Sequence, residues 1–130
     1  MLYSIYMRLL GIDYGTKRIG IASTDETGQF ALPRAVWEND ENLIAKILNL
    51  KNKEGAEKIV IGESKNLDQS PNPIMEKINE FKSELEKAGV EVVLHPEMFT
   101  SMEAAQLQGQ NEMHDASAAA IILKSYIDSH

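Results

Sequence analysis

Asp13, Glu97 and Asp115 are acidic residues, widely spaced in the chain, that the expected topology could bring to one rim. Asp13 closes an apolar run of strand length containing Leu9, Leu10 and Ile12, and a second β-rich run, Ile19-Gly20-Ile21-Ala22, begins six residues later. That spacing reads as a hairpin with a carboxylate at its rim. Gly15 and Gly20 remove side-chain bulk beside the carboxylate, so that a phosphate or another backbone can approach. Lys17 and Arg18 lie at the same end and could hold a polyanion. Glu97 follows the last expected strand and Asp115 opens the last expected helix. If the fold gathers the three acids on one rim, they cannot all stay ionised without cations. Hard oxygen ligands of this kind select Mg²⁺ or Mn²⁺, which keep positions open for water and phosphate oxygens. Each acid also has a plainer reading. Asp13 could hydrogen-bond its own turn, Glu97 could be a solvated loop acid, and Asp115 is a natural helix N-cap.

The elements that would position these residues follow from periodicity. After the first hairpin, Asp25-Glu26-Thr27-Gly28 is a turn signal, and Phe30 to Trp37 reads as a third strand that Pro33 keeps at an edge or interrupts. The period then becomes helical: Leu43, Ile44, Ile47 and Leu48 share a face, Asn39 or Asp40 can cap the start, and Gly55 stops the helix. Glu57 to Gly62 is a β-branched run with the character of a buried parallel strand. Asn72-Pro73 opens a second helix carrying Ile74, Ile78, Phe81 and Leu85, which Gly89 ends, and Val90 to Leu94 repeats the buried-strand signal. Thr100-Ser101-Met102-Glu103 is a capping box for a short helix toward Gly109. A last helix from about Asp115 carries small residues, Ala118 and Ala119, that would let it lie close to the sheet. The expectation is an α/β fold with a five-stranded mixed sheet, three antiparallel strands first and then two parallel ones, flanked by helices through right-handed crossovers. Asp13 then falls at the end of the first strand, in the middle of the sheet if the later strands add beside it, and strand ends at such points are where open α/β sheets bind ligands.

Composition narrows the class. A chain of 130 residues is the size of one domain with a proper core, and the absence of cysteine excludes disulfides, thiolate metal sites and cysteine nucleophiles. No apolar run reaches the roughly 20 residues of a membrane span, and the start lacks a secretory pattern, so the expected location is the cytoplasm. Residues 1–6 precede a second methionine, Met7, and read as an extension or an alternative start, leaving 7–130 as the domain. The net charge of −7 counts against coating nucleic acid by bulk electrostatics. It remains compatible with a nucleic-acid enzyme whose carboxylates gather around cations while Lys and Arg line one cleft. The three histidines form no metal spacing: His130 is terminal, and His95 and His114 flank two of the acids. His114 could assist a proton transfer or simply support a helix cap. Glu63, just after the Val60-Ile61 strand, is a fourth acidic candidate.

The run Gly11-Ile12-Asp13-Tyr14-Gly15-Thr16-Lys17-Arg18-Ile19-Gly20-Ile21-Ala22 resembles the opening signature of the YqgF (RuvX) family, described both as Holliday-junction resolvases and as pre-16S rRNA nucleases. Pro96-Glu97-Met98-Phe99-Thr100-Ser101 is similar to the family's Asp-Glu-Arg-Leu-Thr-Thr. Asp115-Ala116-Ser117-Ala118-Ala119-Ala120-Ile121-Ile122-Leu123 is similar to its Asp-x-x-Ala-Ala-x-x-Ile-Leu. The resemblance covers residues 7 to about 127. It implies a three-layer ribonuclease-H-like fold and carries the family's acidic trio onto Asp13, Glu97 and Asp115. Three places depart from the pattern. Gly62-Glu63-Ser64-Lys65-Asn66-Leu67-Asp68-Gln69-Ser70 stands where the family has Gly-Leu-Pro-Leu-Asn-Met-Asp-Gly-Ser. Met98 replaces an arginine, and 109–114 is shorter and less basic than usual. These losses bear on substrate grip more than on metal binding.

The reading that follows is a metal-dependent endonuclease acting on structured nucleic acid, an rRNA precursor or a branched DNA. Asp13, Glu97 and Asp115 would hold one or two Mg²⁺ (or Mn²⁺) ions about 4 Å apart, for in-line attack of water on a phosphodiester. Lys17 and Arg18, with Lys65 and Asn66 from a neighbouring loop, would position the backbone. Whether it acts as a monomer or a homodimer is open. The rival is a catalytically silent RNA-binding or ribosome-assembly module of the same fold, which the acidic balance and Met98 favour. A third reading, from Asp-x-Gly-Thr at 13–16, is one lobe of an actin or sugar-kinase fold, which needs two lobes to enclose ATP.

Overall fold

The computed structural model describes residues 7–63, 73–96 and 113–129, with residues 73 and 113–115 described by backbone alone. Among the described residues five strands and three helices follow in the order β1 (Leu9–Asp13), β2 (Arg18–Thr24), β3 (Ala31–Glu38), α1 (Leu43–Glu54), β4 (Lys58–Glu63), α2 (Pro73–Lys87), β5 (Glu91–Pro96) and α3 (Met113–Asp128). The strands form one sheet in the order β3-β2-β1-β4-β5. β1 pairs antiparallel with β2 and β2 with β3, while β1 pairs parallel with β4 and β4 with β5. The expected mixed sheet with β1 at its centre is therefore what forms. The short helix expected over 100–109 lies outside the described residues.

The pleat sorts the core into two layers. Leu10, Ile12, Ile19, Ile21, Ile59, Ile61 and Val92 face α1 and α2, where Leu43, Ile47, Ile78, Phe81 and Leu85 meet them. Leu9, Ala22 and Val60 face α3 and pack on Ala119, Ile122, Leu123 and Tyr126. Alternation of period two puts Leu9, Gly11 and Asp13 on the α3 side and Leu10 and Ile12 on the other. Burying one such Leu or Ile contributes about 1.5–3 kcal/mol, so a one-residue slip of β1 would forfeit both layers at once. On the α3 side the residues are small. A Cβ at Gly11 would sit 2.9 Å from both the Ala119 carbonyl oxygen and the Leu123 Cβ, so α3 lies directly on the backbone of β1.

Pro33 acts in both of the ways expected of it. β3 is an edge strand, and its pairing with β2 skips Arg34, since Ile21 faces Ala35 while Ala22 faces Pro33. The bulge turns Arg34 toward α1, where it pairs with Glu54, which also meets Arg8 at 3.5 Å. Helix α1 begins later than its capping residues suggest. Its N-cap is Asn42, whose side chain makes no capping bond, and Asp40 instead accepts the Asn42 N–H at 2.9 Å. Its other end follows the sequence signal, with Gly55 left-handed at φ 69° and the Ala56 N–H returning to the Lys51 carbonyl at 3.0 Å.

The β2–β3 turn is held by Asp25, whose carboxylate accepts from the Thr27 hydroxyl at 2.9 Å and from the Gln29 and Phe30 N–H groups at 3.2 Å. Slight desolvation pushes this carboxyl up, but the hydrogen bonds from Thr27, Phe30, Gln29 and Gly28 together outweigh it, and its pKa is lowered. A lowered folded pKa gives stability that is full above the unfolded value of about 3.9 and disappears as pH falls through the folded value. Thermal melts should therefore show Asp25→Asn less stable than wild type at pH 7, with the two converging in strong acid. Among the described residues, no helix is long and apolar enough to cross a membrane.

Candidate active site at the carboxyl edge of the sheet

Because β1, β4 and β5 are parallel, their carboxyl ends share one edge of the sheet, and the antiparallel β2 starts there while β3 ends there. That edge collects Asp13, Lys17, Arg18, Glu38, Asn39, Glu63 and Pro96. Asp13 is the last residue of the central strand, half-exposed, on the α3 side, with Gly20 as its register partner on β2. Gly20, itself buried, places no side chain beside Asp13 on that strand.

The β1–β2 turn is fixed by a residue whose role the sequence did not disclose. Asn39, one of two expected helix caps, donates its side-chain Nδ2 to the Gly15 carbonyl at 2.9 Å, and its backbone N–H donates to the Lys17 carbonyl at 2.9 Å. The end of β3 thus clamps the turn that carries Lys17 and Arg18, both exposed. Gly15 serves the same turn: a Cβ there would run into the Arg18 carbonyl oxygen. Of the two uses open to its missing side chain, the close approach of backbone is the one realised. Asn39→Ala removes one bond to a half-buried carbonyl and should cost about 1 kcal/mol. Hydrogen exchange should report the loss as faster opening of the turn amides, with the rest of the sheet unchanged.

The other candidates separate by position. Glu63 ends β4 and is half-exposed. The alternation that puts Ile59 and Ile61 against α1 and α2 assigns it to the side opposite Asp13. Lys65, Asn66 and Glu97 lie outside the described residues. His114 and Asp115 are the second and third residues of α3, and only their backbone is described. Asp115 precedes Ala119 by about one turn, or ~6 Å along the axis. Asp13 follows Gly11 by two residues, or ~6.6 Å. Both backbones are thus within about 7 Å of the contact that seats α3 on β1. Among the described residues, no group of three His, Asp or Glu side chains that could hold a metal ion occurs. Of the acidic trio, Asp13 alone has its side chain among them.

His95, which the sequence placed beside Glu97, is committed to packing. Its Nε2 is 2.9 Å from the Ser125 hydroxyl, and its ring meets Tyr126 edge-on at 5.8 Å. Together with Lys58, whose pKa is raised first by its hydrogen bond to Glu91 and further by Tyr126, it anchors the second half of α3.

Among the hollows formed by the described residues, two border α1. One, of about 410 Å³, lies between α1 and α2 beside Tyr14 and presents Asp40, Glu41, Glu80 and Glu84 against Lys77. The other, of about 430 Å³, lies between the end of β3 and α1. Four carboxylates against one ammonium make the first unfavourable for phosphate.

Comparison with known proteins agrees with this architecture. Residues 7–129 match the family model RuvX, described as Holliday junction resolvase. The chain is 36% identical to a protein of Syntrophus aciditrophicus (strain SB) named "Putative pre-16S rRNA nuclease", over 95% of this chain and 89% of that protein. A protein of the same name from Clostridium tetani (strain Massachusetts / E88) is 34% identical, over 95% of this chain and 97% of its own. In fold the chain is similar to Thermus thermophilus RuvC in complex with a Holliday junction substrate. That likeness has a TM-score of 0.61 at 18% identity and covers 95% of each chain. The yeast mitochondrial resolvase Ydc2 matches with a TM-score of 0.52 at 16% identity, over 98% of this chain and 80% of its own. A ribonuclease-H-like sheet with an aspartate ending its central strand, matched from end to end by one family model, places this chain in the RuvX (YqgF) family of nucleases.

Proposed function

We infer that the protein is a metal-dependent endonuclease of the cytoplasm that trims a structured nucleic acid, with an rRNA precursor as its substrate. The observation that carries this reading is Asp13: a half-exposed carboxylate at the open end of the central strand, flanked by Gly20, with α3 seated on the same strand two residues earlier. Its donor chemistry fits a hard divalent cation, and Asp13, Glu97 and Asp115 are the residues that would hold Mg²⁺ or Mn²⁺. Such an ion, when bound, supplies Lewis acidity toward water and phosphate oxygens. The chain's own residues do the rest. Lys17 and Arg18, on a turn fixed by Asn39, bring positive charge to the phosphate backbone, and Lys65 and Asn66 add contacts from the neighbouring loop. His114 is available for proton transfer, while Glu63, on the other side of the sheet from Asp13, stands apart from this centre.

The choice of RNA follows from the strength of the likenesses. Relatives at 34–36% identity carry the rRNA name, whereas the resolvase structures, at 16–18%, share the fold. Purified protein, incubated with Mg²⁺ or Mn²⁺, should shorten an rRNA precursor and leave a four-way DNA junction of matched size uncut. Cutting the junction in preference would reverse the substrate assignment. Binding the precursor with chelator present, without cleaving it under any divalent cation, would make this a silent assembly module.

A further inference from the structure

We propose that the groove between β3 and α1, formed by Trp37, Lys46, Asn49, Leu50 and Lys53, binds a single-stranded segment of nucleic acid, with one base stacked on Trp37 and the flanking phosphates on Lys46 and Lys53. The proposal rests on nucleic acid being the substrate; the groove itself is a separate feature.

Charge singles this groove out. In a chain of net charge −7, helix α1 carries Lys46, Lys51 and Lys53, and its one acid, Glu54, is taken up by Arg8 and Arg34. Lys46 and Lys53 are exposed, and neither pairs with a carboxylate among the described residues. Trp37 is half-exposed, with the Lys46 ammonium 5.9 Å from the centre of its ring. An aromatic face with one ammonium over it and a second along the same groove, with an amide at Asn49, is the chemistry that holds a single strand without regard to sequence: the base takes the ring and the lysines take the phosphates. Lys46 already occupies the ring by a cation–π contact. A base arriving there displaces it onto the adjoining phosphate, where its charge is better compensated. The acidic hollow on the other side of Tyr14 offers no such partner.

Position supports the same reading. Gly20 pairs with Asp13 on one side and with Val36 on the other, so these three share the α3 face, and Trp37, the next residue of β3, lies two strand spacings (about 10 Å) across the sheet and on its other face, reached around the β3 edge. The turn bearing Lys17 and Arg18 lies between them. A duplex end or branch held at Asp13 would have its single-stranded continuation led over that turn and the β3 edge into the groove. The groove would thereby select substrates in which paired and unpaired segments meet.

Trp37 is the single tryptophan of the chain, so its emission reads the groove directly. Full-length Asp13→Asn protein, which should bind without cutting, is titrated with single-stranded RNA and DNA oligonucleotides of one sequence and with the matching duplex. Single strands should quench Trp37 in a saturable, salt-sensitive manner, and duplex should not; the RNA and DNA arms decide which the groove prefers. Lys46→Glu with Lys53→Glu, which keeps the reporter, should weaken single-strand affinity by tenfold or more and flatten its dependence on salt. The control pair Lys82→Glu with Lys87→Glu should change it less than twofold. Trp37→Leu, checked for folding by circular dichroism, should weaken it by about tenfold to a hundredfold. Binding that leaves Trp37 emission and both groove variants unchanged overturns the groove. If wild-type protein still cleaves rRNA precursor in that case, the nuclease reading stands and only this inference falls.

Discussion

Asp13→Asn should abolish cleavage while leaving the protein folded. The substitution keeps the shape of the side chain and removes the charge that would attract a divalent cation. The carboxylate is half-exposed at a strand end, so the core layers of Leu10 and Ile12 on one side and Leu9 on the other do not depend on it. If Asp13 is an anionic ligand of a centre that stabilises the developing charge by several kcal/mol, its loss predicts a rate loss of roughly a thousandfold or more. Single-turnover cleavage of an rRNA precursor in Mg²⁺ and in Mn²⁺, beside a thermal melt, separates the two effects. A variant that melts like wild type and cuts like wild type would remove Asp13 from the chemistry and, with it, the argument for a metal centre on this edge.

How far the sequence disclosed this site depended on which physical signal each residue left. Periodicity carries the fold well. The apolar run of β1, the β-branched runs of β4 and β5, and the 3.6-residue spacing in α1 and α2 each reflect a face that must be buried, whereas the placing of β4 beside β1 and not beside β3 leaves no periodic mark. Pro33 was legible because a missing N–H has few places to go, and the edge strand with a bulge at Arg34 provides one. Asn39 was not. Locally it is one more Asn before a helix, and nothing in the spacing records that the Gly15 and Lys17 carbonyls come to lie beside it from the β1–β2 turn. The role of His95 was illegible for the same reason, since its partners, Ser125 and Tyr126, are distant in sequence. The groove at Trp37 is likewise invisible to local pattern, because its aromatic stands on a strand and its lysines on a helix. Contacts that close long loops leave no periodic trace, and those are the contacts that shape a site.

Gly11→Val should damage cleavage more than it damages the fold. In an interior strand position valine is intrinsically the better residue, by at most about 1 kcal/mol. Here the gain is overridden, because a Cβ at Gly11 would come within 2.9 Å of the Ala119 carbonyl oxygen and of the Leu123 Cβ. Neither atom can swing away by a change of rotamer, so α3 must lift from β1 as a unit. Overpacking of this kind costs about 1–3 kcal/mol, which a two-layer core can survive. The displacement, however, falls on the helix that carries Asp115 one turn before the contact and against the strand that carries Asp13 two residues beyond it. If these residues serve one centre, a shift of an ångström separates them and cleavage drops on the order of a hundredfold at temperatures where the variant is fully folded. Leu123→Ala supplies the contrast. It empties a buried site and should cost about 2–5 kcal/mol, yet it leaves α3 free to stay on β1, so its cleavage should follow its folded fraction. Should Gly11→Val also lose activity only in proportion to its unfolding, the register of α3 on β1 is structural alone, and Asp115 has no part in the reaction.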